Sequence, residues 1–224
     1  MKTIILGSLY LLLAGLLGCA YASGGDAQNQ DLLIVDENYT SPVNQSALVQ
    51  AMAGEPSEEL TAAEREDLLY MAEEEKLAGD VYSAINEMWN LRVFDNIIRA
   101  ERTHEAAVKA LLARYSLSDP AKGQGEFSNE TLQGLYYDLV SRGNRSLEDA
   151  LRVGAAVEEI DILDLNESMS RTGREDILLV YANLRQGSEN HLRAFVNNLE
   201  RHGSEYSPQY LSWETYDYIM NQLQ

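Results

Sequence analysis

The chain lacks the means for a disulfide framework and is poor in basic residues. It contains one cysteine, Cys19, so no intramolecular disulfide can form. Its 17 lysine and arginine residues are outnumbered by 36 aspartate and glutamate residues, and the formal net charge is -19. We expect no binding to DNA or RNA, because phosphate neutralisation needs clustered cations. The acidity is compatible with metal cations as ligands, and also simply with solubility in a salty or extracellular setting.

The apolar run near the N-terminus, residues 4–17, is shorter than the roughly 20 residues that a membrane-spanning helix needs. A lysine precedes this run and small residues follow it, which predicts an export signal over residues 1–22. Leu16-Leu17-Gly18-Cys19 resembles a lipoprotein lipobox, in which Cys19 would carry the lipid. Ala20-Tyr21-Ala22 also fits ordinary signal cleavage. We therefore expect an extracytoplasmic protein that contacts the membrane only through a lipid anchor; a secreted form or a retained helix are the alternatives.

Composition divides the rest of the chain into three parts. Residues 23–55 are rich in small and polar residues and have no sustained apolar period, which predicts a flexible linker. Residues 56–204 are predicted to form one helical domain, and residues 205–224 a short helical tail. The sequence has no repeat period of the solenoid kind. An all-α fold is therefore expected.

Apolar residues spaced three and four apart predict four long helices in the helical domain. These helices are expected over residues 61–89, 93–115, 146–168 and 174–202. Thr61-x-x-Glu64 and Ser146-x-x-Asp149 are typical of helix starts, because a hydroxyl caps the first turn. A short extra helix is expected over residues 131–141, between the second and third long helices.

Glutamate and histidine residues interrupt the inward apolar stripes of these helices. Glu101 and His104 lie one helical turn apart, so both can reach a single metal ion from one face. The other long helices contribute further inward-facing candidates for metal ligation: Glu75, Glu158, Asp161 and His191. Each alone is weak, since a lone inward histidine is usually a hydrogen-bonded core residue. Together they predict a carboxylate-bridged dimetal site between four helices, because unpaired buried charges are costly.

The helical rise of about 1.5 Å per residue gives the distance of each candidate ligand from the turn that joins its helix to the next. Glu75 and Glu101 lie at similar distances from the turn between the first two helices, so they can meet. Glu158 lies about 10 to 18 Å before the next turn and His191 more than about 20 Å after it. A long loop or an offset helix is expected to absorb this difference.

Several of these segments resemble known families. Glu75-x-x-Ala-x-x-x-Tyr82 and Glu101-x-x-His104 resemble the first two helix motifs of rubrerythrin-like proteins. Segments 71–78, 154–161 and 187–195 resemble the ferritin-like family named domain of unknown function 2202. The resemblance covers about residues 60–200. It implies a ferritin-like four-helix bundle with a site for two iron ions, manganese being an alternative, but no established reaction.

The fourth helix departs from the ferritin-like pattern. Ser188 stands where a second Glu-x-x-His motif would have its glutamate. Asp161 is expected to substitute for that carboxylate from the third helix. Glu189 points about 100° away from Ser188 and is expected to face solvent. The departure leaves one ion or two as open alternatives.

The expected function is that of a non-haem dimetal oxidoreductase with ferroxidase-like chemistry toward oxygen or peroxide. Glu101 would bridge the ions, and His104 and His191 would each ligate one. Tyr82 and Tyr181 are candidates for hydrogen-bond donors or radical sinks beside the site. The alternative is a non-catalytic metal-binding or structural interaction module tethered at the membrane. The chain lacks a four-cysteine iron module, so turnover would need an external electron donor; a homodimer stays open.

Overall fold

The computed structural model describes residues 32–35, 41–54 and 59–222. These residues form seven α-helices and no strand beyond an isolated antiparallel bridge between Leu33 and Val43. The helices are α1 Gln45–Ala51, α2 Ala62–Trp89, α3 Arg92–Arg114, α4 Glu130–Gly143, α5 Leu147–Ser170, α6 Glu175–Arg201 and α7 Trp213–Asn221. The expectation of an all-α fold is confirmed. The predicted export signal, with Cys19, lies outside the described residues, and none of the helices described combines the length and apolar character needed to span a membrane.

The four long helices begin and end close to their predicted bounds, and local capping signals mark the starts of α2 and α5. Thr61 caps α2 in a capping box with Glu64, in which each side chain bonds the other residue's backbone N–H. Asn90 ends α2 in the left-handed conformation, with a φ of 50°. Ser146 caps α5 by accepting a bond from the N–H of Asp149.

The long helices pack so that their inner faces meet. α2 packs along α3, and α5 packs along α6; the two pairs face each other through α2 against α5 and α3 against α6. Tyr82, Phe94 and Phe195 fill one level of the core, with ring centroids 5.2 to 5.8 Å apart. Gly154 allows this packing, since a Cβ there would lie 2.5 Å from Cε1 of Phe195. α4 covers α2 and α5 from outside.

Part of the predicted linker is ordered. Residues 41–54 form α1 and the turn before it, and they lie against α3. Leu48 is fully buried, and the N–H of Val43 donates a 2.8 Å hydrogen bond to Oγ1 of Thr103. In this stretch the expectation of a flexible linker is corrected. A helix of seven residues is too short to show a period, and its order comes from burial against α3.

The C-terminal tail is held by one buried carboxylate. Glu159, which is fully buried on α5, accepts a 2.8 Å bond from the hydroxyl of Tyr206. It also accepts bonds of 2.6 to 2.9 Å from the backbone N–H groups of Gln209, Tyr210 and Leu211. These bonds fix the turn that leads into α7. Sequence periodicity does not reveal these bonds, because a residue that accepts hydrogen bonds from the backbone of a distant segment has no characteristic spacing in the sequence.

Candidate metal centre

The four long helices bring the predicted ligands into one buried cluster. α2 contributes Glu75, α3 contributes Glu101 and His104, and α6 contributes His191; α5 contributes Glu158 and Asp161. All six side chains are at most 5% exposed. Glu101, His104 and His191 each offer an atom within 4.8 Å of the others, as a single metal ion requires.

The carboxylate of Glu101 lies between the two histidines. Its Oε2 is 3.2 Å from Nδ1 of His104, and its Oε1 is 2.7 Å from Nδ1 of His191. The two imidazole rings stack with centroids 5.3 Å apart and planes 15° apart. Each oxygen of one carboxylate therefore faces one histidine nitrogen, as in a bridging ligand.

A second carboxylate stands beside each histidine. Glu75 Oε2 is 3.5 Å from Nδ1 of His104, and Glu158 Oε1 is 3.6 Å from Nδ1 of His191. The hydroxyl of Tyr82 donates a 2.6 Å hydrogen bond to Glu158 Oε1 and so orients that carboxylate. The site thus has two halves, each with one histidine and one glutamate, and the halves share Glu101.

The serine on α6 is paired with the extra aspartate on α5. The hydroxyl of Ser188 donates a hydrogen bond to Oδ2 of Asp161, while Oδ1 has no hydrogen-bond partner among the described residues. Asp161 therefore contacts Ser188, the α6 residue for whose side chain it was expected to substitute. The expectation for Glu189 is wrong, because its side chain is buried, 3.8 Å from Nε of Arg185.

Glu158 and His191 were expected to lie at different distances from the turn between their helices, and no long loop makes up that difference. Only residues 171–174 separate α5 from α6. Side chains on a helix tilt toward its N-terminus. Glu158 therefore reaches away from the turn while His191 reaches back toward it along the antiparallel helix, and this contributes to closing the gap.

His104 is oriented by a residue outside the long helices. Its Nε2 lies 2.7 Å from the backbone carbonyl oxygen of Ser41. Because a carbonyl can only accept, the proton is on Nε2, and Nδ1 faces the carboxylates of Glu75 and Glu101. Sequence reasoning missed Ser41, since a backbone contact carries no side-chain signal.

Burial and mutual charge shift the pKa values of the cluster. Burial raises the pKa of Glu75 and of Glu158 to about 7. Burial also opposes ionisation of Glu101, but the two imidazoles outweigh it and hold the pKa of Glu101 well below its usual range. Burial lowers the pKa of His191, yet Glu101 and Glu158 overcome this and raise it to about 9. Without a metal, protons therefore balance much of the buried negative charge.

The donor atoms are better placed to bind a metal ion than to form hydrogen bonds with one another. Nδ1 of His104, Nδ1 of His191, Glu75 Oε1 and Glu101 Oε1 are buried and have no aligned hydrogen bond among the described residues. Buried polar atoms without hydrogen bonds are costly and rare in native proteins. Carboxylate and imidazole donors that converge on one buried region are the ligands that iron, manganese and zinc take. The residues present therefore fit a metal centre.

Comparison with known proteins identifies the family of this chain. The model of the uncharacterized protein domain DUF2202 matches residues 64–222. The chain is 45% identical over 176 residues to the uncharacterized protein MJ0754 of Methanocaldococcus jannaschii, covering 78% of this chain and 95% of that protein. It also matches the crystal structure of the hypothetical protein MJ0754 from Methanococcus jannaschii with a TM-score of 0.74 and 46% identity, over 76% of this chain and 99% of that one. The chain therefore belongs to the DUF2202 family.

Proposed function

We propose that this chain is a ferritin-like four-helix-bundle protein that binds two non-haem metal ions and acts as a ferroxidase-like oxidoreductase. The observation that carries the proposal is the Glu101 carboxylate, whose two oxygens face Nδ1 of His104 and Nδ1 of His191. A carboxylate held between two imidazoles from neighbouring helices is the arrangement that a bridged pair of ions needs.

Charge balance favours two divalent ions over one. The cluster holds four buried carboxylates, and its two imidazoles are neutral when they act as ligands. Two divalent ions would cancel the four negative charges without any proton. With one ion, the other two carboxylates would have to hold protons or remain as uncompensated buried charges, which cost several kcal/mol. The carboxylates are Glu75, Glu101, Glu158 and Asp161.

Each residue has a distinct role in this proposal. Glu101 would be the ligand shared by the two ions, and Glu75 with His104 and Glu158 with His191 would complete the two halves. Asp161, held by Ser188, is the additional carboxylate. An iron pair held there would supply redox chemistry toward oxygen or peroxide, and manganese would be the alternative for the same donors. The protein excludes bulk water, since all six side chains are buried.

The alternative, a structural module in which the acids pair with arginines, is less well supported. Arg171 pairs with Asp67 at 2.5 Å, away from the cluster. Within the described residues, the ion pairs of Glu75, Glu101 and Glu158 are with histidines alone. A structural ion-pair network would place fixed cations beside these acids. The histidines beside these acids can instead give up their protons and bind metal ions, which permanently charged arginines cannot do.

The same proposal places the protein outside the cytoplasm. The export signal over residues 1–22 and the lipobox-like segment at Cys19 support a lipid-anchored form, with a secreted form as the alternative. Repeated turnover would need an external electron source, such as ferrous ion itself, because the chain has only one cysteine and therefore no four-cysteine iron module; a one-way scavenger would not need one.

The proposal is tested by adding ferrous ion to the metal-free protein and following oxygen consumption. We expect rapid uptake by the wild-type chain and loss of at least about 90% of the rate in Glu101→Ala, because the ligand shared by the two ions is gone. Glu105→Ala is the matched control, since Glu105 lies one turn further along α3 and pairs with Lys109 instead. Equal oxygen uptake in all three proteins would refute the proposal.

A further inference from the structure

Residues 41–45, which we call the strap, cross α3 beside the metal centre. The N–H of Val43 donates a 2.8 Å hydrogen bond to Oγ1 of Thr103. The side-chain amide of Gln45 donates a 3.1 Å bond to the carbonyl of the same threonine. Thr103 directly precedes His104, so the strap is tied to α3 at the position of a candidate ligand.

The strap is fixed on its other sides as well. The hydroxyl of Ser41 accepts a 2.8 Å bond from the side-chain amide of Asn190 on α6, and Ser41 is fully buried. Val43 forms the isolated bridge with Leu33, and Asn44 caps α1. The strap therefore spans α3 and α6 and places the carbonyl of Ser41 against His104.

The two histidines of the centre differ in whether their Nε2 atom has a hydrogen-bond partner. Nε2 of His104 is bonded to the Ser41 carbonyl at 2.7 Å. Nε2 of His191 is buried and has no hydrogen-bond partner among the described residues. Histidine ligands of metals usually donate their second ring N–H to a fixed acceptor, which sets the orientation of the ring. In this chain the strap supplies that acceptor for one half of the centre.

We propose that Ser41 is a positioning residue of the metal centre and that the strap completes the His104 half of it. The main-chain carbonyl of Ser41 keeps the proton on Nε2, so Nδ1 faces Glu75 and Glu101. This inference rests on the proposed function, because the ring is positioned for a metal ion. The strap lies outside residues 64–222, so the family domain alone does not contain the complete site.

A pair of substitutions at Thr103 tests the strap without touching a ligand. Thr103→Val removes the oxygen that accepts the bond from Val43, whereas Thr103→Ser keeps it. Thr131→Val on α4 is the matched control, because it removes an exposed hydroxyl far from α3. All variants are made in the full chain.

Two measurements distinguish positioning from folding. The first is the nuclear magnetic resonance signal of the His104 Nε2–H in metal-free protein with nitrogen-15-labelled histidine; the chain has only three histidines, so assignment by substitution is direct. The second is the dissociation constant for ferrous ion under anaerobic conditions. We expect a signal protected from exchange in the wild type and in Thr103→Ser. We expect its loss in Thr103→Val, with affinity weakened about 10- to 100-fold at one of the two ions.

The outcomes separate the two proposals. Wild-type protein without a protected Nε2–H would overturn the role of the strap whatever the affinity. Loss of the signal in Thr103→Val with affinity within twofold of wild type would overturn it too. Wild-type protein that keeps the signal but retains no metal would refute the proposed function, while the contact between strap and imidazole would still be established.

Discussion

Gly187 on α6 gives the sharpest test of how closely the centre is packed. A Cβ at this position would lie 2.6 Å from Cε1 and 2.9 Å from Nε2 of His104, and 3.6 Å from Cβ of Ser41. Carbon atoms in contact normally lie about 3.5 to 4.0 Å apart. Gly187→Ala would therefore push the imidazole away from α6 by about 1 Å. His104 cannot retreat freely, because its Nε2 is hydrogen-bonded to the carbonyl of Ser41 in the strap.

Two opposing effects decide the stability of this variant. Overpacking a core costs about 1–3 kcal/mol, whereas replacing glycine by alanine inside a helix gains about 1 kcal/mol. We expect a net loss of about 0–2 kcal/mol in the metal-free protein, so the variant folds. Metal affinity should fall more steeply, by about 10- to 100-fold, because the ring that carries a ligand atom is displaced.

The assay is competition with a chromophoric chelator, together with thermal unfolding of the metal-free chain. Gly134→Ala is the control: it lies in α4, and its Cβ would meet nothing within 4 Å. It should gain up to about 1 kcal/mol and bind metal like the wild type. A folded Gly187→Ala protein with wild-type affinity would refute the reasoning, since the position of His104 would then not matter.

Three further predictions concern other contacts, in the metal centre and in the C-terminal tail. Ser188→Ala removes the hydrogen bond to Asp161, so affinity for one ion should fall about tenfold while the other is unchanged, as a ferrous titration would show. Metal affinity should rise with pH up to about 9, because carboxylate neighbours raise the pKa of His191 to about 9 and its proton must leave before it can ligate. Calorimetry in buffers of different ionisation enthalpy would measure the protons released. A pH-independent affinity would contradict this prediction. Glu159→Gln should cost about 2–4 kcal/mol of unfolding free energy in urea, because a buried carboxylate that accepts four hydrogen bonds is lost, and an unchanged midpoint would contradict this.

The helices, and the meeting of the polar side chains on their inner faces, were predictable from the sequence because they leave periodic signals. The stripe around Glu75 and the spacing of Glu101 and His104 each follow from one helix alone, and caps such as Ser146 mark where helices begin. Once four amphipathic helices pack by their apolar faces, the polar residues within those faces must meet. That reasoning reaches Glu158, Asp161 and His191 without knowledge of the fold's details.

The remaining features depend on contacts between distant segments. The carbonyl of Ser41 against His104 is a backbone contact across 63 positions, and any residue type could supply it. Burial of Glu189 depends on how neighbouring elements cover α6, which helix periodicity does not report. The turn between α5 and α6 falls where the sequence placed it, but the difference in level between Glu158 and His191 was overestimated. It was counted along helix axes, although the polar atoms sit at the ends of tilted side chains.

The central claim is that this centre holds two metal ions bridged by Glu101. Its most direct test is the metal content of the full chain by elemental mass spectrometry, after anaerobic loading with ferrous ion and removal of free metal. We predict about two ions per chain in the wild type, which would balance the charge of the four carboxylates, and fewer than about 0.5 in Glu101→Ala. A wild-type chain that retains one ion or none, or a Glu101→Ala chain that retains two, would contradict the account.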